Sequence, residues 1–231
     1  MVEISGKYKI GTRRFGSVNW IGAWTLYKKE VLRFLIVWIQ TLFSPLITSL
    51  LFLSVLSLAI GNDRGNVLGV PFIVFLAPGL IAMQIIQQAF SHSSSSFMIG
   101  KIQGNIVDLV YAPLSAGEVT LAVTLASVTR SVLIAVISLL VFYLFIDLEI
   151  KNFITLVAFT LLSAFSLGAL GIIAGLWAEK FDHMATVTNF VIIPLSFLSG
   201  TFYSIERLPE TLQIICKANP FFYMIDGFRY S

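Results

Sequence analysis

Few residues in this sequence have the chemistry to act on a ligand, and their neighbours limit what that action could be. Gln84, Gln87 and Gln88 fall with Ser91 on one face at helical spacing. Arg130 stands near the middle of a long apolar run. A guanidinium at the centre of a bilayer costs about 3 kcal/mol or more, so it must face protein or water. Two readings of Arg130 stay open: contact with an anionic headgroup, or a structural bond to a glutamine or a helix-end carbonyl. The glutamines divide the same way, between lining a path and bonding between helices. Three within two turns are costly unless they meet a cavity or one another. Asn189 is a further path candidate. The run FMIGKIQGNIVDLVYAP, residues 97–113, sets Ile102, Ile106, Leu109 and Val110 on one helical face, with Lys101, Gln103, Asn105 and Asp108 elsewhere. Such a helix either docks in a partner's groove or lies flat on a membrane.

Catalytic constellations are missing. The two histidines, His92 and His183, form no His-Glu-x-x-His pair, and Cys216 is alone, so a metal site is not expected. No Gly-x-Ser-x-Gly elbow and no Gly-x-x-x-x-Gly-Lys-Ser/Thr loop occurs, so neither acyl transfer nor ATP binding through a P-loop is expected of this chain. It does not read as an enzyme.

The elements that must hold these residues are membrane spans. Hydrophobic residues make up 57% of the 231 and charged residues only 12%, against about a quarter in an average globular domain. Mean hydropathy is +0.90. Several apolar runs exceed the roughly 20 residues that cross a bilayer, and they are continuous rather than alternating, which excludes a β-barrel. The reading is an all-α, multi-pass membrane protein with spans at about 34–60, 71–97, 115–146, 152–177 and 185–203, the first bent at Pro45. Gly168, Gly171 and Gly175 in the fourth span read as a close-packing face.

Seven of the 15 Lys and Arg precede residue 34. That density places the N-terminus in the cytoplasm, with the lipid bilayer rather than a nucleic acid as the partner. Residues 1–16 read as a cytoplasmic tail with no signal-peptide core, and 17–231 as one membrane domain. Trp20, Ile21, Trp24, Tyr27 and Val31 recur at helical spacing, which describes either an amphipathic helix in the headgroup region or the start of the first span. By alternation the turn Glu179-Lys180-Phe181-Asp182-His183 is cytoplasmic and 204–231 lies outside.

The order of parts resembles a known family. It is carried by Phe75-Leu76-Ala77-Pro78-Gly79-Leu80, Ala112-Pro113, Phe181-Asp182, Pro194 to Gly200, Phe202-Tyr203-Ser204, Leu208-Pro209, Asn219-Pro220 and Gly227-Phe228-Arg229-Tyr230. Together these resemble the permease subunit of ABC-2 type transporters, closest to the bacterial inner-membrane permeases of drug, polysaccharide and lipo-oligosaccharide exporters. The resemblance implies a plasma-membrane half-transporter that pairs with a second permease copy, as homodimer or heterodimer, and with separate ATP-binding cassette subunits that hold ATP and magnesium. It makes the N-terminal amphipathic segment an interface helix. It also makes 98–112 a coupling helix, with Lys101, Ile102, Ile106, Asp108 and Leu109 at the ATPase contact, and Glu179, Lys180, Phe181 and Asp182 a second contact. Residues 204–231 become outer re-entrant helices, and the substrate passes between the copies, bordered by the second and fifth spans. The family carries a sixth span that this sequence does not reach, and truncation is the expectation drawn from that. A secondary carrier or channel is the alternative, although the spans lack the paired carboxylates such a protein would use.

Overall fold

The computed structural model describes residues 18–64, 66–67 and 69–231; the expected tail at 1–16 lies outside them. Five helical segments among these are long and apolar enough to cross a membrane: Ile39–Ala59, Phe72–Ile102, Ala116–Tyr143, Phe153–Trp177 and Phe181–Leu198.

Helix α1, Trp20–Ile36, is capped by Asn19, whose side chain accepts from the Gly22 N–H at 2.9 Å. It continues three residues into the region expected for the first span and ends at Val37. A wide π-type turn, Ile39–Phe43, then leads into α2, Ser44–Arg64. Pro45 explains the widening. It has no N–H to offer the carbonyl four residues back, and its ring crowds that carbonyl. The last span repeats the device: α7, Phe181–Val187, a π-type turn at Thr188–Ile192, then α8, Ile193–Leu198, with Pro194 in its first turn.

Between α2 and α3 lies a short antiparallel hairpin, Asn66–Val67 with Val70–Pro71, turned by Gly69 at φ +84°. Helix α3, Phe72–Ile102, is the longest and runs past the expected end of the second span. Gly104, at φ +76°, stops it, because that left-handed backbone cannot continue a helix. The segment expected as one helix over 98–112 is therefore two pieces: the last turn of α3, and α4, Ile106–Tyr111. Helix α5, Ala116–Tyr143, opens with a reciprocal capping box between Ser115 and Glu118. Helix α6, Phe153–Trp177, opens on Asn152. After α8 come a 3₁₀ turn, Ile205–Arg207, then α9, Glu210–Ala218, and α10, Pro220–Tyr230.

Helix α3 is the centre. It packs against α5, α6, α2 and α10, and two thirds of its apolar window is buried (67%), against 22% for the first span and 17% for the fifth. The glycine face of α6 makes the closest approach. A methyl group added at Gly171 would lie 2.5 Å from the Phe90 carbonyl oxygen, and one at Gly175 2.8 Å from that of Ser94. Small residues there let two backbones come together. Helix α1 does not stand apart from this bundle. It runs beside α5 in the same direction, with Asn19 against Glu118 and Tyr27 bonded to Thr129. The end of the bundle where α1 begins, which also holds α4 and residues 178–183, is called proximal below, and the other end distal.

At the distal end α9 and α10 form a V with its vertex at Asn219-Pro220. Asn219 Nδ2 donates to the Leu195 carbonyl at 2.8 Å, which draws the vertex in beside α8. The Ser231 carbonyl accepts from the N–H groups of Lys151 and Asn152, so α10 returns to the rim. Two short helices thus occupy the segment 204–231.

Candidate functional site

Three places gather the residues that could carry function. The first is the proximal surface. Ile106 and Leu109 turn inward and pack with Leu26, Phe97, Ala122, Val123 and Ile172. Val107, Asp108, Val110 and Tyr111 are left on the open face, with Val110 and Tyr111 74% and 84% exposed. The outward face thus differs from the expected one, on which Ile102, Ile106, Leu109 and Val110 stood together. The reason is that α4 restarts after Gly104 instead of continuing the α3 register. Lys101 joins this surface to the next segment: its ammonium donates to the carbonyls of Leu176 and Ala178, closing the C-terminus of α6. Immediately beyond, Glu179, Lys180, Phe181 and Asp182 are all exposed. Phe181 and Asp182 form the first turn of α7, so the expected loop is shorter than its five residues.

The second place is a polar cluster buried between α1, α3 and α5. Glu30, 3% exposed, accepts from Arg33 Nε at 2.9 Å and lies 3.9 Å from His92 Nε2. Arg33 also donates to the His92 carbonyl at 3.1 Å and reaches Ser95 Oγ at 3.4 Å. Phe34 meets the His92 ring edge-on at 5.6 Å between centroids. Arg130 donates through Nη2 to Gln88 Oε1. Gln84 Nε2 donates to the Pro45 carbonyl, which ties α3 to the first turn of α2. Gln87 is half-buried, and Asn189, in the π-type turn of the fifth span, is exposed. The structure brings Gln88 and Arg130 together and leaves Asn189 apart from them. Sequence reasoning passed over Glu30, Arg33 and His92. The available signal was Glu30 and Arg33 one turn apart on an amphipathic helix, a pair that is ordinarily a solvated one.

The third place is distal. Arg229 lies over the Phe75 ring, 3.9 Å from its centroid, and donates to the Gly200 carbonyl at 3.0 Å. Gly79 makes room for it, since a side chain there would meet Arg229 Nη2 and the Thr201 carbonyl at 2.7 Å. Asn219 caps α10 through the Phe221 N–H and donates to Ser199 Oγ at 3.0 Å. A cavity of about 240 Å³ opens above Arg229, bordered by Tyr203, Glu206, Lys217 and Asp226. Burial pushes the Tyr203 phenol up to about 12, with Cys216 adding to the shift, and pulls the Arg229 guanidinium down to about 10.

Four stretches far apart in sequence, around Phe75–Gly79, Ser199–Thr201, Asn219-Pro220 and Phe228-Arg229, thus close on one another, and all four are among the stretches that carry the sequence resemblance. The family described as ABC-2 type transporter matches residues 22–231. The chain belongs to that family. Inner membrane transport permease YadH of Escherichia coli (strain K12) is 32% identical over 212 residues, which cover 92% of this chain and 83% of that protein. Nodulation protein J of Rhizobium leguminosarum bv. trifolii is 25% identical over 225 residues, covering 93% and 81%. Nodulation protein J of Rhizobium meliloti (strain 1021) is 23% identical over 216 residues, covering 91% and 80%. An ABC-2 membrane domain with five apolar helices is a multi-pass transport permease subunit, and its family implies in general an ATP-binding cassette partner.

Proposed function

We propose that this permease is the membrane half of an exporter driven by ATP hydrolysis on a separate subunit, which binds ATP and magnesium. The observation that carries the reading is the proximal surface: exposed apolar Val107, Val110 and Tyr111 on α4, joined through Lys101 to the exposed Glu179–Asp182 turn. A soluble ATPase would seat there, with Asp108, Lys180 and Asp182 at the rim and Ile106 and Leu109 bracing α4 from inside. Lys101 would carry motion from α4 into α6. The proximal end is then cytoplasmic, in agreement with the basic N-terminal sequence.

The cargo would be amphipathic or lipid-linked (a drug, glycolipid or polysaccharide) and would pass across the plasma membrane between two permease copies. The fifth span, which exposes Asn189 and is mostly unburied, would border that path with Gln87. Gln84, Gln88 and Arg130 would support its wall from behind.

The test is capture of the ATP-binding subunit by tagged permease in mild detergent. Val110→Asp with Tyr111→Asp is expected to lower capture by at least tenfold, since charge replaces the buried centre of the interface. Thermal unfolding should stay unchanged because both side chains are exposed. Transport by this chain alone, driven by a proton gradient, would overturn the reading.

A further inference from the structure

The distal cavity lies where the start of α3, the segment from Gly200 to Glu206, α9 and α10 meet. At about 240 Å³ it is smaller than the roughly 300–1,000 Å³ of drug-sized sites, so it admits a molecule the size of a lipid headgroup. Arg229 is the innermost of the four charged residues that line it. Its guanidinium rests on the Phe75 ring and donates to the carbonyls of Gly200 at 3.0 Å and Thr201 at 3.4 Å, all of them neutral partners. Its Nε is buried without a hydrogen-bond partner. Asp226, one turn earlier on α10, attracts it from the rim. A buried cation whose bonds are all to neutral groups is short of counter-charge.

The other three charged side chains of the lining, Glu206, Lys217 and Asp226, are exposed and form the rim. Two of the three are acidic. Tyr203 and Phe222 add aromatic walls. Tyr203 also brings a hydroxyl, whose neighbour Cys216 Sγ, at 4.0 Å, is a weak partner. Charge is thus layered, positive inside and mainly negative at the mouth. A polyanion would be repelled by Glu206 and Asp226, and a neutral sugar would leave Arg229 as short of counter-charge as before. A molecule with an anionic group at one end and an ammonium at the other meets both layers, and the aromatic walls favour the ammonium further.

We propose that the distal cavity binds a small zwitterion, an anionic group joined by a short linker to a primary ammonium, with the anion on Arg229 and Tyr203 and the ammonium on Glu206 and Asp226. This chemistry is carried both by the headgroup of phosphatidylethanolamine and by free solutes. Bound there, the ligand ties α10 to the turn that leads into α9 and so closes the V of short helices. The site stands apart from the proposed ATPase contact, which is at the other end of the bundle.

The full chain is reconstituted in phosphatidylcholine nanodiscs, which leave both ends open to solute, and titrated calorimetrically with glycerophosphoethanolamine. Saturable binding is expected. Glycerophosphoglycerol, which lacks the ammonium, and glycerophosphocholine, whose ammonium has no N–H to give, are expected to bind at least about tenfold more weakly. This ligand series needs no variant. Glu206→Gln with Asp226→Asn, at two exposed positions, is expected to weaken glycerophosphoethanolamine by about tenfold or more and to leave thermal unfolding without ligand unchanged. Glu149→Gln with Glu210→Gln removes the same charge from exposed distal positions outside the cavity and is expected to bind as the parent does. Nanodiscs containing phosphatidylethanolamine identify the source. Loss of the soluble ligand's binding there assigns the site to the lipid headgroup, and unchanged binding assigns it to a free solute. Absence of saturable binding in phosphatidylcholine nanodiscs would overturn the proposal. So would equal affinity for glycerophosphoglycerol, or undiminished affinity in Glu206→Gln with Asp226→Asn.

Discussion

Glu30 takes part in the polar join between α1 and α3. Its carboxylate is the counter-charge to Arg33, and Arg33 holds the α3 backbone at His92. Glu30→Gln keeps the shape and removes the charge, and we expect a loss of about 2 kcal/mol in unfolding free energy. Glu30→Gln with Arg33→Gln should cost less than the sum of the single changes, because the second removes the charge stranded by the first. Denaturation midpoints of the four proteins measure this. This cluster was not legible in the sequence: a Glu and an Arg three residues apart look solvated until the distant His92 is placed over them. Arg130 was legible as a residue needing shelter, because one charge in a long apolar run is conspicuous, but its bond to Gln88 needed the pairing of α3 with α5. Tyr203 gives a pH prediction. Its phenol holds its proton to about 12 in the folded chain, above the ordinary value near 10, so the unfolded chain releases that proton first. Stability should therefore fall as pH rises from about 10 to 12, and Tyr203→Phe should remove that part of the decline.

Among the elements, α6 sits where it does because its glycines let it. Gly171→Ala should destabilise by about 1–3 kcal/mol, since the added methyl meets the Phe90 backbone and neither helix can yield without moving the other. Gly117→Ala, at an exposed start of α5 with open space around it, should be neutral or stabilising by about 0.4–1 kcal/mol. Thermal unfolding of the two variants separates a packing role from the general cost of changing a glycine. The spans were legible because continuous apolar runs of membrane length have few alternative readings. The boundary between α3 and α4 was not, because apolar spacing carries straight through Gly104 and only its positive φ reveals the stop. That one dihedral angle decides which face of α4 is open.

At the scale of the whole molecule, burial is unevenly shared. The first and fifth spans are mostly uncovered by their own chain, while α3 is enclosed. In the dimer proposed above these two spans would meet the second copy. Cys216 is fully buried, so introduced thiols can be followed almost without background once it is replaced by alanine. Leu51→Cys and Phe190→Cys, both exposed on those spans, should cross-link copies in membranes, whereas Leu162→Cys on the outer face of α6 should not. Cross-linking through α6 alone would place the second copy on the other side of the bundle. The global arrangement was legible through the resemblance. The convergence of Phe75, Gly200 and Arg229 was not, because those residues are neighbours only after three further spans have folded.

The two wide turns, Ile39–Phe43 and Thr188–Ile192, give the two least enclosed spans the same mechanical property. Each holds one residue more than an α-helical turn needs, and each lies one helical turn or less before a proline. Removing one residue from either turn would restore α-helical register and swivel everything beyond it by about 100°, one residue's share of a helical turn. The wide turn thus sets the direction in which α2 leaves α1 and α8 leaves α7, and with it which residues of these two spans face away from α3.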